Sequence, residues 1–262
     1  MRLAVTSAEL QGWVALIGGL AAAVLGIVKY FDFKSRRERA AQAGEAFAST
    51  VDALSSADDP KRLAGAILLR RFFDRSTEQG GKHTPYASEA VGVIAALLRG
   101  TETGTLQKIL ADGLAYAPSL LHADLQRCNL RNAYLGRRPD RRPDLSHADF
   151  FEADLTGASL RDAVACEAVF FRASMRDTVL RGADLTGADF RQADLQGARL
   201  EGAILDGADF AGAVLENARF GGARLTNASF EGATQIPDDL VQLLPASDVT
   251  ASVEAPDSAP TP

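Results

Sequence analysis

The sequence predicts a four-sided β-helix, preceded by one membrane-spanning helix and a small α-helical module. Three observations carry this reading. From Ala123 onward an apolar residue returns every five positions. Within that phase Phe150, Phe170, Phe190, Phe210 and Phe230 are spaced by 20 residues. Near the start of the chain, the segment from Leu10 to Val28 carries no charge.

Of the 22 pentads centred on positions 125 to 230, 20 have Leu, Phe or Met at the centre, and 18 have Ala two residues before it. A period of five fits neither a helix nor a plain strand. In extended chain, residues two apart point the same way. The Ala and Leu of A-D-L-T-G therefore face one side, the Asp faces the other, and T-G is left to turn. Glycine tolerates the positive φ that such turns require. Each pentad is thus a very short strand and a bend. Four pentads make 20 residues, so a four-sided coil stacks the phenylalanines in one column, and small Ala side chains suit the narrow interior. The ends of such a coil expose unpaired backbone and need caps.

The repeats A-D-L-Q-R from Ala123, A-D-L-T-G from Ala153 and Ala183, A-D-F-R-Q from Ala188, A-D-L-Q-G from Ala193 and A-D-F-A-G from Ala208 resemble the pentapeptide-repeat family. The resemblance covers about residues 118–237 and implies a right-handed quadrilateral β-helix. The helical part before it is similar to that of membrane-anchored bacterial members.

The elements follow in chain order. Residues 1–9 form a short tail. Residues 10–30 read as a transmembrane signal anchor, since 19 uncharged residues span about 28 Å, close to a hydrocarbon core. Trp13 and Tyr30 sit near its ends. Lys29, Lys34, Arg36, Arg37 and Arg39 follow it, so the positive-inside rule places the N-terminus outside and the rest in the cytoplasm of a bacterial plasma membrane. A cleaved signal peptide would carry its charge before the apolar run. Gly18, Ala22 and Gly26 recur every four residues and form a candidate self-association face for a homo-oligomer.

Residues 31–117 read as a helical module. Phe47, Val51 and Leu54 make an apolar stripe, Pro60 opens a second helix with Leu63, Ile67, Leu68, Phe72 and Phe73 on its apolar face, and further helices cover 90–98 and 106–114. The Gly80-Gly81-Lys82 run lacks Walker spacing and a preceding strand, so it reads as a loop. The β-helix covers 118–235, with a loop at 136–144 where the pattern lapses. Residues 236–245 read as a capping helix, and 246–262 as a disordered acidic tail.

Three surfaces stand out. Phe151, Val164, Val169, Phe171 and Val179 are outward apolar residues and form a candidate partner patch; cover by the helical module or the loop is the alternative. Arg137, Arg138, Arg141 and Arg142 concentrate charge in the loop, as a docking site for an acidic partner or lipid headgroup, or as a solvated run. Asp184, Asp189, Asp194, Asp206 and Asp209 form an acidic face.

Composition narrows the function. With 2 Cys and 3 His, a disulfide scaffold or a Cys/His metal site is not expected. The net charge of −6 lacks the basic excess of a nucleic-acid binder, so direct nucleic-acid contact is not expected. No nucleophile–base pair or phosphate loop is visible, so no catalytic residue and no cofactor is assigned. A membrane-tethered interaction scaffold with a protein partner follows. Two alternatives stand beside it. One is a topoisomerase-binding DNA mimic, which the family resemblance implies for some members. The other is an oligomeric membrane effector acting through the transmembrane face.

Overall fold

The computed structural model describes residues 29, 34, 37, 38, 40–74, 86–139 and 141–244. Of the expected membrane anchor, residues 10–28 and 30 lie outside this set, as do Gly80-Gly81-Lys82 and the 246–262 tail. Among the described residues, no helix is long and apolar enough to cross a membrane.

Residues 40–54 form helix α1. Helix α2 spans Asp59–Leu68 and tightens into a 3-10 turn over Leu69–Phe72. Helix α3 spans Tyr86–Gly100 and α4 spans Thr105–Leu114. The apolar face of α2 differs from the expected one. Ile67 and Leu68 are 53% and 38% exposed, while Gly65, Ala66, Leu69, Phe72 and Phe73 are buried. One cause is visible. Gly65 lets α1 approach closely, since a Cβ there would lie 3.0 Å from Leu54 Cγ and 3.2 Å from the Thr50 carbonyl oxygen. Phe47 packs edge-on to Phe72 and stacks on Tyr86, with centroids 5.1 and 5.2 Å apart.

From Asp124 the chain winds into a four-sided coil. Parallel β-bridges join residues 20 apart in four columns. Side one runs through Asp149, Val169, Asp189, Asp209 and Ser229. Side two runs through Asp154, Ser174, Asp194, Val214 and Thr234. Side three runs through Ser159, Val179, Arg199 and Arg219. Side four runs through Asp144, Val164, Asp184, Ile204 and Arg224. Each side contributes a single bridge residue; among the described residues there is no longer strand. This corrects the expected short strands. Two of every five residues turn, and in A-D-L only the middle one is flanked by paired groups.

The coil also begins before the arginine loop. Asp124, Asn129 and Tyr134 pair with residues 25 ahead, namely Asp149, Asp154 and Ser159. The loop therefore occupies one corner of the first coil and adds five residues to it.

The interior matches the pattern. Phe150, Phe170, Phe190 and Phe210 are fully buried, and Phe230 nearly so. Successive rings in the column are 4.8 to 5.0 Å apart and within 7° of parallel. That separation equals the spacing of neighbouring strands, so each ring rides on its own coil. Thr178 takes an inward Ala position with its hydroxyl donating to the Leu155 carbonyl at 2.9 Å, so the buried polar atom is satisfied.

The helical module closes the first coil. The Asn129 N–H donates to the Leu98 carbonyl at 3.1 Å, and the Tyr134 N–H to Asp112 Oδ1 at 3.0 Å. Buried Gln107 donates to the Asn129 and Arg131 carbonyls at 3.0 and 3.1 Å. Arg99 pairs with Asp124 at 2.8 Å. Main-chain groups that an open end would leave bare thus find partners. At the other end helix α5, Asp238–Val241, buries Leu240 against the same core.

Candidate functional site

The turns explain the Asp that precedes the core residue in eight of the repeats. In the pentad 148–152 all five N–H groups are placed. Ala148 closes the preceding turn to Leu145 at 3.0 Å. Asp149 donates back to Ala123 at 2.9 Å, and Phe150 and Glu152 donate forward to Val169 and Phe171 at 2.7 and 3.1 Å. The fifth, that of Phe151, donates to the Asp149 side chain at 2.9 Å. The same Asp-to-turn bond recurs at Asp144, Asp154, Asp184, Asp189, Asp194 and Asp209. This is an Asx turn repeated along the rod. Sequence reasoning placed these acids outward and missed this use of them; their recurrence directly before the core residue was the available signal.

The acids do not make one face. Asp189 and Asp209 lie on side one, Asp194 on side two and Asp184 on side four, while Asp206 occupies a corner. Four of them also lie within ion-pair distance of three arginines of the rod. Arg191 Nη2 lies 2.7 Å from Asp189, and its Nε lies 3.9 Å from Asp209. Arg176 pairs with Asp194 and Arg224 with Asp206. Partial burial opposes ionisation of Asp189 and Asp184. For Asp189 the hydrogen bonds and charge of Arg191 outweigh it. For Asp184 the bonds from Thr186 and Cys166 and the charge of Arg142 do so. Both carboxyls are held below the usual range. The expected single acidic face is thus corrected to acids spread over three sides and a corner, four of them close to Arg.

The apolar patch is divided as well. A step of five residues moves to the next side, so Val164, Val169 and Val179 fall on sides four, one and three. What remains together is the corner after side one. There Phe151 and Phe171 meet with centroids 5.7 Å apart. Arg127 lies 5.7 Å from the Phe151 ring, and Arg172 and Arg191 lie 5.0 and 5.3 Å from the Phe171 ring. Both rings are half-buried. The result is an aromatic pair framed by guanidinium groups.

In the loop, Arg138 and Arg141 form an antiparallel bridge with each other. Arg138 lies over the Tyr116 ring at 4.0 Å. Arg141 donates to the Tyr116 and Ala117 carbonyls at 2.8 and 3.0 Å, just past the C-terminus of α4, where the helix dipole favours a cation. Arg142 donates to the Asp162 and Ala163 carbonyls at 2.7 and 3.4 Å. Arg137 is exposed, and its carbonyl accepts the Tyr134 hydroxyl. Three of the four side chains thus fasten the loop to the helical module and the second coil.

Burial pushes the Cys128 thiol up to about 11, against the lowering charge of Arg99, and its Sγ contacts the Ala95 carbonyl at 3.4 Å. Burial, then Asp184, raises Cys166. His122 and His147 stack with centroids 4.8 Å apart, and Glu167 lies 3.3 Å from His147 Nδ1. Among the described residues, no group of three or more His, Cys, Asp or Glu is placed to hold a metal. The self-association face of Gly18, Ala22 and Gly26 lies outside the described residues.

A four-sided coil of five-residue turns, sealed by helices and carrying its acids as turn acceptors, defines a repeat solenoid. The pentapeptide-repeat family profile matches eight copies, over residues 144–180, 167–202 and 193–232. A pentapeptide repeat protein of Nostoc PCC 7120 is 35% identical over 36% of this chain and 79% of its own, with a TM-score of 0.34. One from the Arabidopsis thaliana thylakoid lumen is 30% identical over 46% of this chain and 73% of its own, with a TM-score of 0.27. QnrB1, a plasmid-mediated fluoroquinolone resistance protein, is 22% identical over 47% and 72%, with a TM-score of 0.21. No curated protein gives a significant match. The chain belongs to the pentapeptide-repeat family.

Proposed function

We propose that this protein is a membrane-tethered, non-catalytic interaction scaffold. The observation that carries the reading is the Phe151–Phe171 corner. Aromatic rings bordered by Arg are the residue types most enriched where proteins bind one another. The uncharged run of residues 10–28 supports the tether, with its N-terminus outside a bacterial plasma membrane and the rod in the cytoplasm. The helical module supports a stiff connection, because it shares one continuous core with the rod. Membership of a family of chiefly structural and interaction proteins supports a role without chemistry.

The test is partner capture from solubilised native membranes, comparing wild type with the double variant Phe151→Arg/Phe171→Arg and with Arg219→Gln as a distant control. A partner retained by wild type and the control and lost from the double variant is the expected result. Identical capture by all three removes the corner from consideration.

The topoisomerase-binding alternative requires a dense uncompensated acidic surface, and the pairing of Asp189, Asp194, Asp206 and Asp209 with Arg weighs against it. The full chain is expected to leave gyrase supercoiling unchanged. The membrane-effector alternative rests on Gly18, Ala22 and Gly26 alone.

A further inference from the structure

We infer that side three of the rod lies on the anionic phospholipid surface of the membrane that holds the protein. The inference rests on the tether proposed above and is independent of the Phe151–Phe171 corner. Asp stands in the bridge columns of sides one, two and four, where it accepts the turn N–H. Side three carries Ser159, Val179, Arg199 and Arg219 in its place, and its column holds no acid. The corner before side three adds Arg131 and Arg176, and the corner after it adds Arg137, Arg161 and Arg181. Asp177 and Glu216 share the first corner, and Asp162 and Glu201 the second. Seven Arg against four acids leave this face at +3. Arg138, Arg141 and Arg142 of the adjacent loop are turned back onto the protein and add nothing to it.

Ion pairs do not cancel this balance. Arg161 lies 3.5 Å from Asp162, and Arg181 and Arg199 lie 3.8 and 3.7 Å from Glu201, all within the count. Arg131 and Arg176 pair with Asp154 and Asp194 of side two. With those two acids added, seven Arg against six still leave +1. Arg137 and Arg219 are exposed, and no acid among the described residues forms an ion pair with either. The opposite wall has the reverse sign. The column of side one holds Asp124, Asp149, Asp189 and Asp209, and Arg127, Arg172 and Arg191 at its corners leave it acidic. Opposite walls of a β-structure are about 10 Å apart, more than the Debye length of about 8 Å at physiological salt. An approaching surface therefore senses the face it meets and not the net charge of the chain. The cytoplasmic leaflet is anionic and attracts basic surface held close to it, so the rod is drawn down by side three and repelled at side one. A folded partner would need a buried apolar anchor at the centre of its contact. Between Ser159 and Arg219 the column offers the half-buried Val179 alone, which a fluid layer of headgroups tolerates. With side three on the bilayer, the Phe151–Phe171 corner faces away from it.

Fluorescence quenching in vesicles reads the orientation. The chain has one tryptophan, Trp13, and Trp13→Phe removes it. In that background Val179→Trp places a fluorophore on side three, and Val169→Trp places one on side one of the same coil. Each full chain is reconstituted into vesicles of phosphatidylcholine, or of equimolar phosphatidylcholine and phosphatidylglycerol, with a headgroup spin-labelled lipid as quencher. In the anionic vesicles Val179→Trp is expected to lose most of its emission and Val169→Trp to keep it. The difference is expected to vanish in phosphatidylcholine alone, and at about 1 M salt, where the Debye length is about 3 Å. Arg161→Glu/Arg219→Glu, at two exposed positions, takes the face from +3 to −1 and is expected to abolish the difference. Melting curves check that this double variant folds; if it does not, Arg219→Glu alone and the salt series carry the test. Equal quenching of the two fluorophores in anionic vesicles overturns the inference, as does a difference that survives high salt or the absence of anionic lipid. Alkaline carbonate washing separates this result from the tether. Chain lost from the vesicles overturns both readings, and chain retained with equal quenching overturns the orientation alone.

Discussion

The two ends of the rod are closed in different ways. At the first coil, α3 and α4 lay a broad apolar surface over Leu125, Leu130 and Leu135, all fully buried, and the Leu98 carbonyl, Gln107 and Asp112 take up main-chain groups. At the last coil the cover among the described residues is one short helix. Leu240 is buried, and Asp239 accepts the Phe220 N–H at 2.7 Å, but Leu225 stays half-buried and Val241 and Leu243 are 37% and 40% exposed. A solenoid bonds only to its neighbours, so its ends set where it opens. The helical module makes one end part of the main core, and opening is expected to start from the other.

The sharpest way to break that contrast is to truncate one buried leucine at each end. Leu98→Ala is expected to cost about 3 kcal/mol and to lower the urea midpoint of the whole rod, whereas Leu240→Ala costs about 2 kcal/mol. In the Leu240→Ala variant, loss of hydrogen-exchange protection should be confined to the last coil. Protection lost throughout the rod would mean that the far end is no weaker.

The polar seals are expected to rank in the same order. Gln107→Ala leaves two carbonyls of the first coil without their buried donor and is expected to cost about 2 kcal/mol. Asp239→Ala, in a partly exposed site, is expected to cost about 1 kcal/mol by denaturant titration. An inverted order would reverse the contrast.

A mid-rod reference calibrates both ends. Gly202 has φ +68°, and a Cβ there would touch nothing within 4 Å, so Gly202→Ala isolates the backbone cost, about 1 kcal/mol. A neutral result would show that turn strain is negligible along the rod.

The smallest effect is that of acid. Asp184 and Asp189 have lowered folded-state pKa values, and so does Asp154, where bonds from Thr156 and Arg131 outweigh the opposing effect of burial. Their contribution is complete above the ordinary carboxylate value, about pH 4, and is lost as pH falls through the lower folded values. Thermal midpoints are expected to be flat from neutrality to about pH 5 and to fall below about pH 4.

The rod was legible because its signal repeats. The Phe spacing announced four sides, and the stacked rings follow it. Other features required knowing what lies across space. Asp149 reads as a solvated outward acid until its bond to the Phe151 N–H is seen. Arg141 looks like one charge in a run, yet it donates to carbonyls about 25 residues earlier. The division of Val164, Val169 and Val179 among three sides was implicit in the period itself, since a five-residue step always changes the side. The shift of the buried face in α2 had no repeating signal, because it follows from the close approach of α1 at Gly65.

The column of phenylalanines gives the rod the character of a one-dimensional crystal, with 20 residues as its unit cell and a lattice constant of 4.8 to 5.0 Å. The arginine loop is then an interstitial defect. It inserts five residues at one corner, and the lattice on either side keeps its phase. A crystal of this kind is lengthened or shortened by whole cells without disturbing its interior. Deleting residues 189–208, one full cell, should leave every column in register and every remaining ring on a neighbour.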